Sequence, residues 1–286
     1  MSDAATGQLA HDIERLFRQG ASADKSESRS VFATLREELS AGRVRAAEPD
    51  ASTATGWRVN TWVKQGILVG FRCGDLVDRS IDGGRWFFCD KDTLPLKKMD
   101  AGMGVRVVPG GSSIRDGAYV AKGVICVPPM YINIGAYVDE SSLIDSHALV
   151  GSCAQVGKRV HISAGAQIGG VIEPVGAIPV IIEDEVLIGG NTGIYEGAVI
   201  KKRAVIGAGT ILTGSTPIYD LPMGRIIKPE GDGPLVVPEG AVVVPGARAV
   251  TQGMGPQWGL SLSTPVIVKY RDEKTDARTS LEEWVR

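Results

Sequence analysis

Aliphatic side chains recur at every sixth residue through the middle of this chain, and this period restricts the fold more than any other feature. From Ile114 to Ile168, ten positions spaced by six are all aliphatic or cysteine. After a slip of two residues, the same spacing runs from Ile182 to Ile218. A helix repeats every 3.6 residues and a strand every two, so neither alone produces this pattern. A six-residue period is typical of a parallel β-helix, in which each unit is a short strand followed by a tight turn.

The residues around the repeating aliphatics favour the same fold. Three units form one triangular coil of about 18 residues, and successive coils stack at the inter-strand distance of about 4.8 Å. The aliphatic side chains fill the prism interior, and a small residue usually follows four places later. Glycine accounts for 37 of 286 residues, well above the usual share of about 7%, as frequent tight turns require. We therefore predict a mainly β protein with a parallel β-helix over residues 106–250.

The flanking segments lack the period of six. Residues 1–105 contain three stretches with helical spacing of apolar residues, and we predict a helical domain there that covers the open end of the prism. The expected inward-facing residues of these helices are Ile13, Leu16, Phe17, Val31, Phe32, Leu35, Leu39, Val59, Trp62, Val63, Leu68 and Phe71. Residues 251–286 are predicted to form a short extension with a strand, SLSTPVIVKY, and a helix with a capping box from Thr279 to Glu282. Residues 169–181 and 219–236 interrupt the repeat and are expected to loop out of the coil.

Composition argues against several classes of partner. The 31 basic and 33 acidic side chains leave a net charge of −2, without the basic excess that neutralises a nucleic-acid backbone. No apolar stretch approaches the roughly 18 residues of a membrane span, and the N-terminus lacks the features of a signal peptide. Cys73, Cys89, Cys126 and Cys153 show no C-x-x-C spacing. We expect a cytoplasmic protein with reduced thiols and with neither nucleic acid nor membrane as a partner.

Hexapeptide repeats of this form resemble those of the left-handed β-helix acyltransferases. The resemblance implies a left-handed coil, assembly as a homotrimer, and an acyl-CoA that lies in the groove between neighbouring subunits. It also implies no permanently bound cofactor, since the acyl-CoA is a co-substrate. No metal is expected either, because His147 and His161 sit on separate turns and no clustered set of ligands is present.

More specific segments resemble the tetrahydrodipicolinate N-succinyltransferase family, and the resemblance covers nearly the whole chain. The segments that carry it are VRVVPG, YINIGAYVDESSLIDSHALVGSCAQVGKRVHIS, GGVIEP and PVIIED, in this order. The resemblance implies transfer of a succinyl group from succinyl-CoA to the amine of ring-opened tetrahydrodipicolinate, L-2-amino-6-oxopimelate. The product would be N-succinyl-2-amino-6-oxopimelate, in the biosynthesis of diaminopimelate and lysine.

The same resemblance implies roles for two charged residues. Arg106 matches an arginine that binds the dicarboxylate substrate, and a guanidinium fork suits a carboxylate. Asp145 matches the catalytic carboxylate, which binds the substrate amine and accepts its proton. Without the resemblance, Arg106 is equally explained as a surface arginine and Asp145 as an acidic turn residue.

A further set of residues is expected to contact the acyl-CoA. Gly190 and Ala208 are 18 residues apart and lack bulk, so they are expected to line a groove for the extended pantetheine arm on successive coils. His147 is a candidate contact to the acyl group because it follows Asp145 by two residues. As predicted turn residues, His147 and His161 are otherwise expected to face solvent. Gly193 departs from the family pattern, since the family commonly carries an acidic residue at this place.

Two alternatives remain open from the sequence. The first keeps the chemistry but changes the donor or the acceptor, as in acetyl transfer to the same or a related amine. The second is a non-catalytic β-helix scaffold, such as a shell like that of the γ-carbonic anhydrases. The zinc version of that shell needs three histidines that converge between subunits, and this coil has two.

Overall fold

The N-terminal part of the chain is helical, as predicted. In this computed structural model, which describes residues 3–231 and 233–272, the α-helices are α1 (Asp3–Gln19), α2 (Lys25–Ser40) and α3 (Thr61–Cys73). The carboxylate of Asp24 caps α2 by accepting a hydrogen bond from the backbone N–H of Glu27, at 2.7 Å. None of the helices described is long and apolar enough to cross a membrane.

The buried face of α3 differs from the predicted one. Phe71, expected to point inward, is 36% exposed, and the face that carries Gly66 and Gly70 is buried instead. A Cβ atom at Gly66 would lie 2.3 Å from the side chain of Leu35, and one at Gly70 would lie 2.3 Å from that of Phe32. The spacing of large apolar residues did not predict this face, because two of its contact positions are glycines, whose lack of a side chain makes room for side chains of α2.

Three parallel sheets then form the faces of a triangular prism, and their strands pair residue for residue between coils. Face 1 contains Arg106–Val107, Ile125–Cys126, Leu143–Ile144, His161–Ile162, Leu187–Ile188 and Val205–Ile206, and it continues into Ala241–Ala249. Face 2 contains Ser113–Ile114, Tyr131–Ile132, Leu149–Val150, Gln167–Ile168, Gly193–Ile194 and Ile211–Leu212. Face 3 contains Tyr119–Val120, Tyr137–Val138, Gln155–Val156, Ile181–Ile182, Val199–Ile200 and Val236–Val237.

The interior of the prism is built from the residues of the six-residue period. In the two-residue strands that follow Arg106–Val107, the second side chain points inward and is buried, while the first lies on the outer surface of its face. The inward side chains join with the small residues of the turns into one continuous apolar cluster. The predicted mainly β fold with a parallel β-helix is therefore confirmed.

The second interruption of the coil begins earlier than the sequence period predicts. Ile218–Asp220 forms an antiparallel pair with Arg225–Ile227 and a parallel pair with Ser261–Tyr270. The last strand of face 3 is instead Val236–Val237, which pairs with Val199–Ile200. The prediction that Ile218 continues the coil is therefore wrong, because its segment pairs with the C-terminal strand.

The predicted C-terminal strand is present. Ser261–Tyr270 pairs antiparallel with Ala241–Ala249, so the two form a long hairpin that departs from face 1. The capping box expected from Thr279 to Glu282 lies outside the described residues.

The N-terminal part packs along the side of the prism as well as across its end. It includes two antiparallel hairpins, Ala47–Pro49 with Trp57–Val59 and Leu76–Asp78 with Cys89–Lys91. Ala47 packs against Ile181 on the outer surface of face 3. Met99 and Val105, in the segment that leads into the coil, contact the interior cluster. This connecting segment therefore contributes to the cap, and residues before it cover face 3.

Candidate functional site

The three corners of the prism carry different side chains, and the corner between faces 3 and 1 is an array of ion pairs. Lys158 Nζ lies 3.1 Å from Glu140 Oε2, and Arg159 Nη2 lies 2.7 Å from Glu185 Oε1. Higher along the same corner, Lys202 pairs with Glu239 at 3.3 Å. These charges already compensate one another, so this corner offers little to a ligand.

The corner between faces 2 and 3 is covered by other parts of the chain. Both interruptions of the repeat leave the coil at this corner. The first follows the strand that ends at Ile168, the second follows the strand that ends at Leu212, and each leads back to a strand of face 3. Ile134 and Cys153, from two turns of this corner, are fully buried in the core cluster of the N-terminal helices. This corner serves the attachment of the helices.

The corner between faces 1 and 2, hereafter corner 1–2, is lined by uncharged residues with one exception. Its turns are residues 108–112, 127–130, 145–148, 163–166, 189–192 and 207–210. Asp145 carries the one formal charge in these turns at neutral pH. An isolated carboxylate on an otherwise neutral surface differs from the paired carboxylates of the charged corner, and it is the feature that singles out this corner.

A row of small residues runs up corner 1–2 at the second place of successive turns. The row comprises Ser146, Ala164, Gly190 and Ala208. Backbone hydrogen bonds tie these turns together, from Asn191 N–H to Ala164 O at 3.0 Å and from Gly209 N–H to Gly190 O at 2.9 Å. The predicted contacts Gly190 and Ala208 thus lie on adjacent coils, in a row of small residues that runs parallel to the prism axis.

Asp145 is held by its own turn and keeps acceptor capacity. Its backbone N–H donates to Ile162 O at 2.9 Å, which places it directly after an inward strand residue. Its Oδ1 atom accepts the backbone N–H of Ser146 at 2.7 Å. Within the described ranges 3–231 and 233–272, no other hydrogen bond reaches this half-buried carboxylate. Its Oδ2 atom can therefore accept a hydrogen bond from a ligand.

The two histidines of the coil differ in position. His147 lies in the turn of Asp145, is exposed, and has a φ of +60°. Its carbonyl accepts a hydrogen bond from Gln167 Nε2 at 3.3 Å. His161 does not lie in a turn as predicted, because it belongs to a strand of face 1 and pairs with Leu143 and Leu187.

Arg106 lies on face 1, apart from the other predicted site residues. It is exposed and begins the first strand of that face, where it pairs with Ile125, which in turn pairs with Leu143. Arg106 is therefore two coils from the turn of Asp145, or roughly 10 Å along the axis at the usual strand spacing. The structure thus brings Asp145, His147, Gly190 and Ala208 to corner 1–2 and leaves Arg106 on the adjoining face.

Tyr195, which follows the strand Gly193–Ile194 of face 2, makes a contact that sequence reasoning missed. Gly193 is buried, and a Cβ atom there would lie 2.4 Å from Tyr195 Cε2 and 2.9 Å from its hydroxyl oxygen. The tyrosine ring therefore occupies the space that a side chain at position 193 would need. The sequence did contain a signal for this contact. Gly193 and Tyr195 are two residues apart, and side chains two apart in an extended segment lie on the same side of the sheet.

Neither the buried thiols nor the coil histidines form a reactive cluster. Cys126 and Cys153 are fully buried, and burial raises the pKa of each thiol to about 12. Both therefore remain protonated near neutral pH and have little nucleophilic character. In the part of the chain that the structure describes, no group of three or more His, Cys, Asp or Glu side chains could hold a metal ion.

Comparisons with known proteins find relatives of nearly the whole chain. Residues 8–73 match the family model described as tetrahydrodipicolinate N-succinyltransferase N-terminal, and residues 179–214 match the hexapeptide repeat of succinyl-transferase. The latter match agrees with the left-handed form of the parallel β-helix that the sequence resemblance implied.

Three full-length relatives carry one name, 2,3,4,5-tetrahydropyridine-2,6-dicarboxylate N-succinyltransferase. The relative from Bradyrhizobium diazoefficiens is 42% identical over 268 residues, which cover 92% of this chain and 91% of the relative. The relative from Nitrobacter hamburgensis is 41% identical and covers 92% of each chain. That from Sodalis glossinidius is 38% identical and covers 97% of this chain and 98% of its own.

Proposed function

Because this chain belongs to the tetrahydrodipicolinate N-succinyltransferase family, we propose that it transfers the succinyl group of succinyl-CoA to the amine of L-2-amino-6-oxopimelate. This acceptor is the ring-opened form of tetrahydrodipicolinate, and the product is N-succinyl-2-amino-6-oxopimelate, in diaminopimelate and lysine biosynthesis. The observation that carries the proposal is identity near 40% with enzymes of this name along almost the entire chain.

The reaction needs a neutral amine, an acceptor for its proton and a positioned thioester. The amine nitrogen attacks the thioester carbonyl carbon, a C–N bond forms, and the C–S bond then breaks to release the CoA thiolate. Asp145 Oδ2 accepts a hydrogen bond from the amine and takes up the proton that the nitrogen loses. That proton passes on to the departing thiolate or to water, which restores the carboxylate for the next turnover.

The acyl-CoA lies along corner 1–2 in this proposal. Gly190 and Ala208 present little bulk to the pantetheine arm, and backbone polar groups of their two turns bind its amides. His147 follows Asp145 in the same turn and contacts the acyl group near the thioester. The support for this placement is the row of small residues that continues upward from the turn of Asp145.

Arg106 binds a carboxylate of the acceptor in this proposal, and the assembly is a homotrimer. A guanidinium recognises a carboxylate through two parallel N–H···O bonds. Its offset of roughly 10 Å from Asp145 within one chain is compatible with a site between subunits, where an acceptor with two carboxylates reaches groups on different elements. Light scattering of the purified protein at three times the chain mass of 30.2 kDa would support the trimer.

The function is tested by thiol release from succinyl-CoA and from acetyl-CoA, each with and without tetrahydrodipicolinate. We expect release that requires the acceptor and the succinyl donor. Acceptor-dependent release from acetyl-CoA at an equal or higher rate would instead favour the acetyltransferase alternative. Release from neither donor would contradict the proposed function and would point to a changed acceptor or to a scaffold.

A further inference from the structure

A cavity of about 360 Å³ lies in the N-terminal part of the molecule, on the side of face 3. Face 3 is the face opposite corner 1–2, so the cavity is separate from the candidate catalytic site. Its lining residues are Thr6, Arg43, Val44, Arg45, Glu48, Arg58, Asn60 and Trp62. We propose that this cavity binds a small oxyanion, a phosphate or a carboxylate group, on the guanidinium of Arg45.

The guanidinium of Arg45 is held in one orientation before any ligand arrives. It stacks on the ring of Tyr137, with 3.6 Å between its central carbon and the ring centroid, and lies 5.5 Å from that of Trp57. Its Nε–H donates to Gln155 Oε1 at 2.9 Å. Gln155 is fully buried and is fixed in turn by a bond from its Nε2 to Cys153 O at 2.8 Å. A fork that is already ordered loses little entropy when it binds an anion.

Arg45 also differs from the other two arginines of the lining in its charge balance. Arg43 makes two bonds of 2.7 Å to Glu38, and Arg58 pairs with Glu48. By contrast, the Nη atoms of Arg45 have no hydrogen-bond partner within residues 3–231 and 233–272. An anion bound at these Nη atoms would supply both the hydrogen-bond acceptors and the opposite charge that this ordered guanidinium does not receive from a paired carboxylate.

The electrostatics of the cavity favour an anion. Burial lowers the pKa of Arg45 because it penalises the charged guanidinium, and the surrounding Tyr137, Asp139, Glu48 and Asp184 offset this only in part. An oxyanion at the Nη atoms would supply the missing compensation. Three arginines face a single glutamate in the lining, and that glutamate is already bonded to one of them.

The proposal is tested by calorimetric titration of the full protein with inorganic phosphate and with acetate. We expect binding of at least one probe, and the tighter probe identifies the class of anion. Arg45→Gln should weaken this binding by about tenfold or more, since a hydrogen-bonded guanidinium contributes strongly to anion affinity.

Two further variants separate a binding role from a structural one. Glu48→Gln removes the negative charge of the lining and releases Arg58, so it should tighten binding, a result that a damaged fold would not produce. Arg18→Gln changes an exposed arginine at the end of α1 and should have no effect. The proposal is overturned if neither probe binds the wild type, or if Arg45→Gln and Arg18→Gln bind the probes equally well.

Discussion

Asp145 and Asp139 are equivalent in local geometry and differ in their surroundings. Each follows an inward strand residue, and each accepts the backbone N–H of the next residue through Oδ1, at 2.7 Å and 2.8 Å. Asp139 lies on the charged corner, where it helps to raise the pKa of Lys158. Asp145 lies on the corner without other charges. The difference between a turn residue and a candidate catalytic residue is thus a property of the corner and is invisible in the local sequence.

The packing of Tyr195 against Gly193 leads to a prediction about the family's acidic position. Gly193→Glu should destabilise the protein by about 1–3 kcal/mol, because the new side chain must displace the tyrosine ring that lies 2.4 Å from the added Cβ. Adding Tyr195→Val to this variant should restore much of the loss. Thermal unfolding measures both effects. Equal stability of wild type and Gly193→Glu would show that the ring is not held in place.

At the scale of elements, the six-residue period predicted most strands of the prism and the alignment of turns on successive coils. Gly190 and Ala208 are 18 residues apart, which is one coil, so the sequence alone was sufficient to predict that they lie on adjacent coils. The errors have separate physical causes. His161 belongs to a strand because the two-residue strands include the residue before the inward one, and Ile218 left the coil for a pairing with distant residues.

The distance between Arg106 and Asp145 along the prism axis could not be predicted from the sequence either. The resemblance assigned both residues to one substrate but contained no information on their separation within a chain. The first strand of the coil begins at Arg106 itself, and this assigns the arginine to face 1 two coils below Leu143. Only the pairing register, which depends on the whole stack, gives that distance.

The charged corner makes a prediction about acid stability. Arg159 donates a hydrogen bond to Glu185, which lowers the pKa of that carboxyl below its ordinary value of 4.5. A lowered folded pKa adds stability above pH 4.5 that is lost as the pH falls through the folded pKa. Glu185→Gln should therefore reduce neutral-pH stability by less than about 1 kcal/mol, because the pair is exposed to solvent and screened.

The same variant should respond less to acid than the wild type. Urea unfolding at a series of pH values from neutral downward measures this response. The two proteins should converge in stability as Glu185 becomes protonated in the wild type. Parallel stability curves at all pH values would contradict the assigned role of the pair.

At the scale of the whole molecule, side chains from the turns of the coil complete the core of the N-terminal helices. Ile134, from the corner between faces 2 and 3, is fully buried among side chains of the N-terminal helices. Lys64 of α3 is also buried, and its ammonium donates to the carbonyl of Ala177 in the first interruption of the repeat. The N-terminal part should therefore unfold together with the coil.

Ile134→Ala tests this coupling. The loss of a buried isoleucine side chain should cost about 2–5 kcal/mol, and hydrogen exchange in α1, α2 and α3 should accelerate together with exchange in the coil. Ile211→Ala is the matched control, since Ile211 is 45% exposed on face 2 and should cost far less. Faster exchange confined to the coil would show that the two parts fold independently.

The most direct test of the proposed site compares Asp145→Asn with Asp139→Asn in the thiol-release assay with succinyl-CoA and tetrahydrodipicolinate. Asparagine keeps the Oδ1 acceptor of each turn, so both variants should fold, and they differ in which corner loses a carboxylate. We predict that Asp145→Asn reduces kcat by about 10²–10⁴-fold, the usual contribution of a general base, while Asp139→Asn remains near the wild-type rate. Equal rates for the two variants would contradict the assignment of the catalytic carboxylate to corner 1–2.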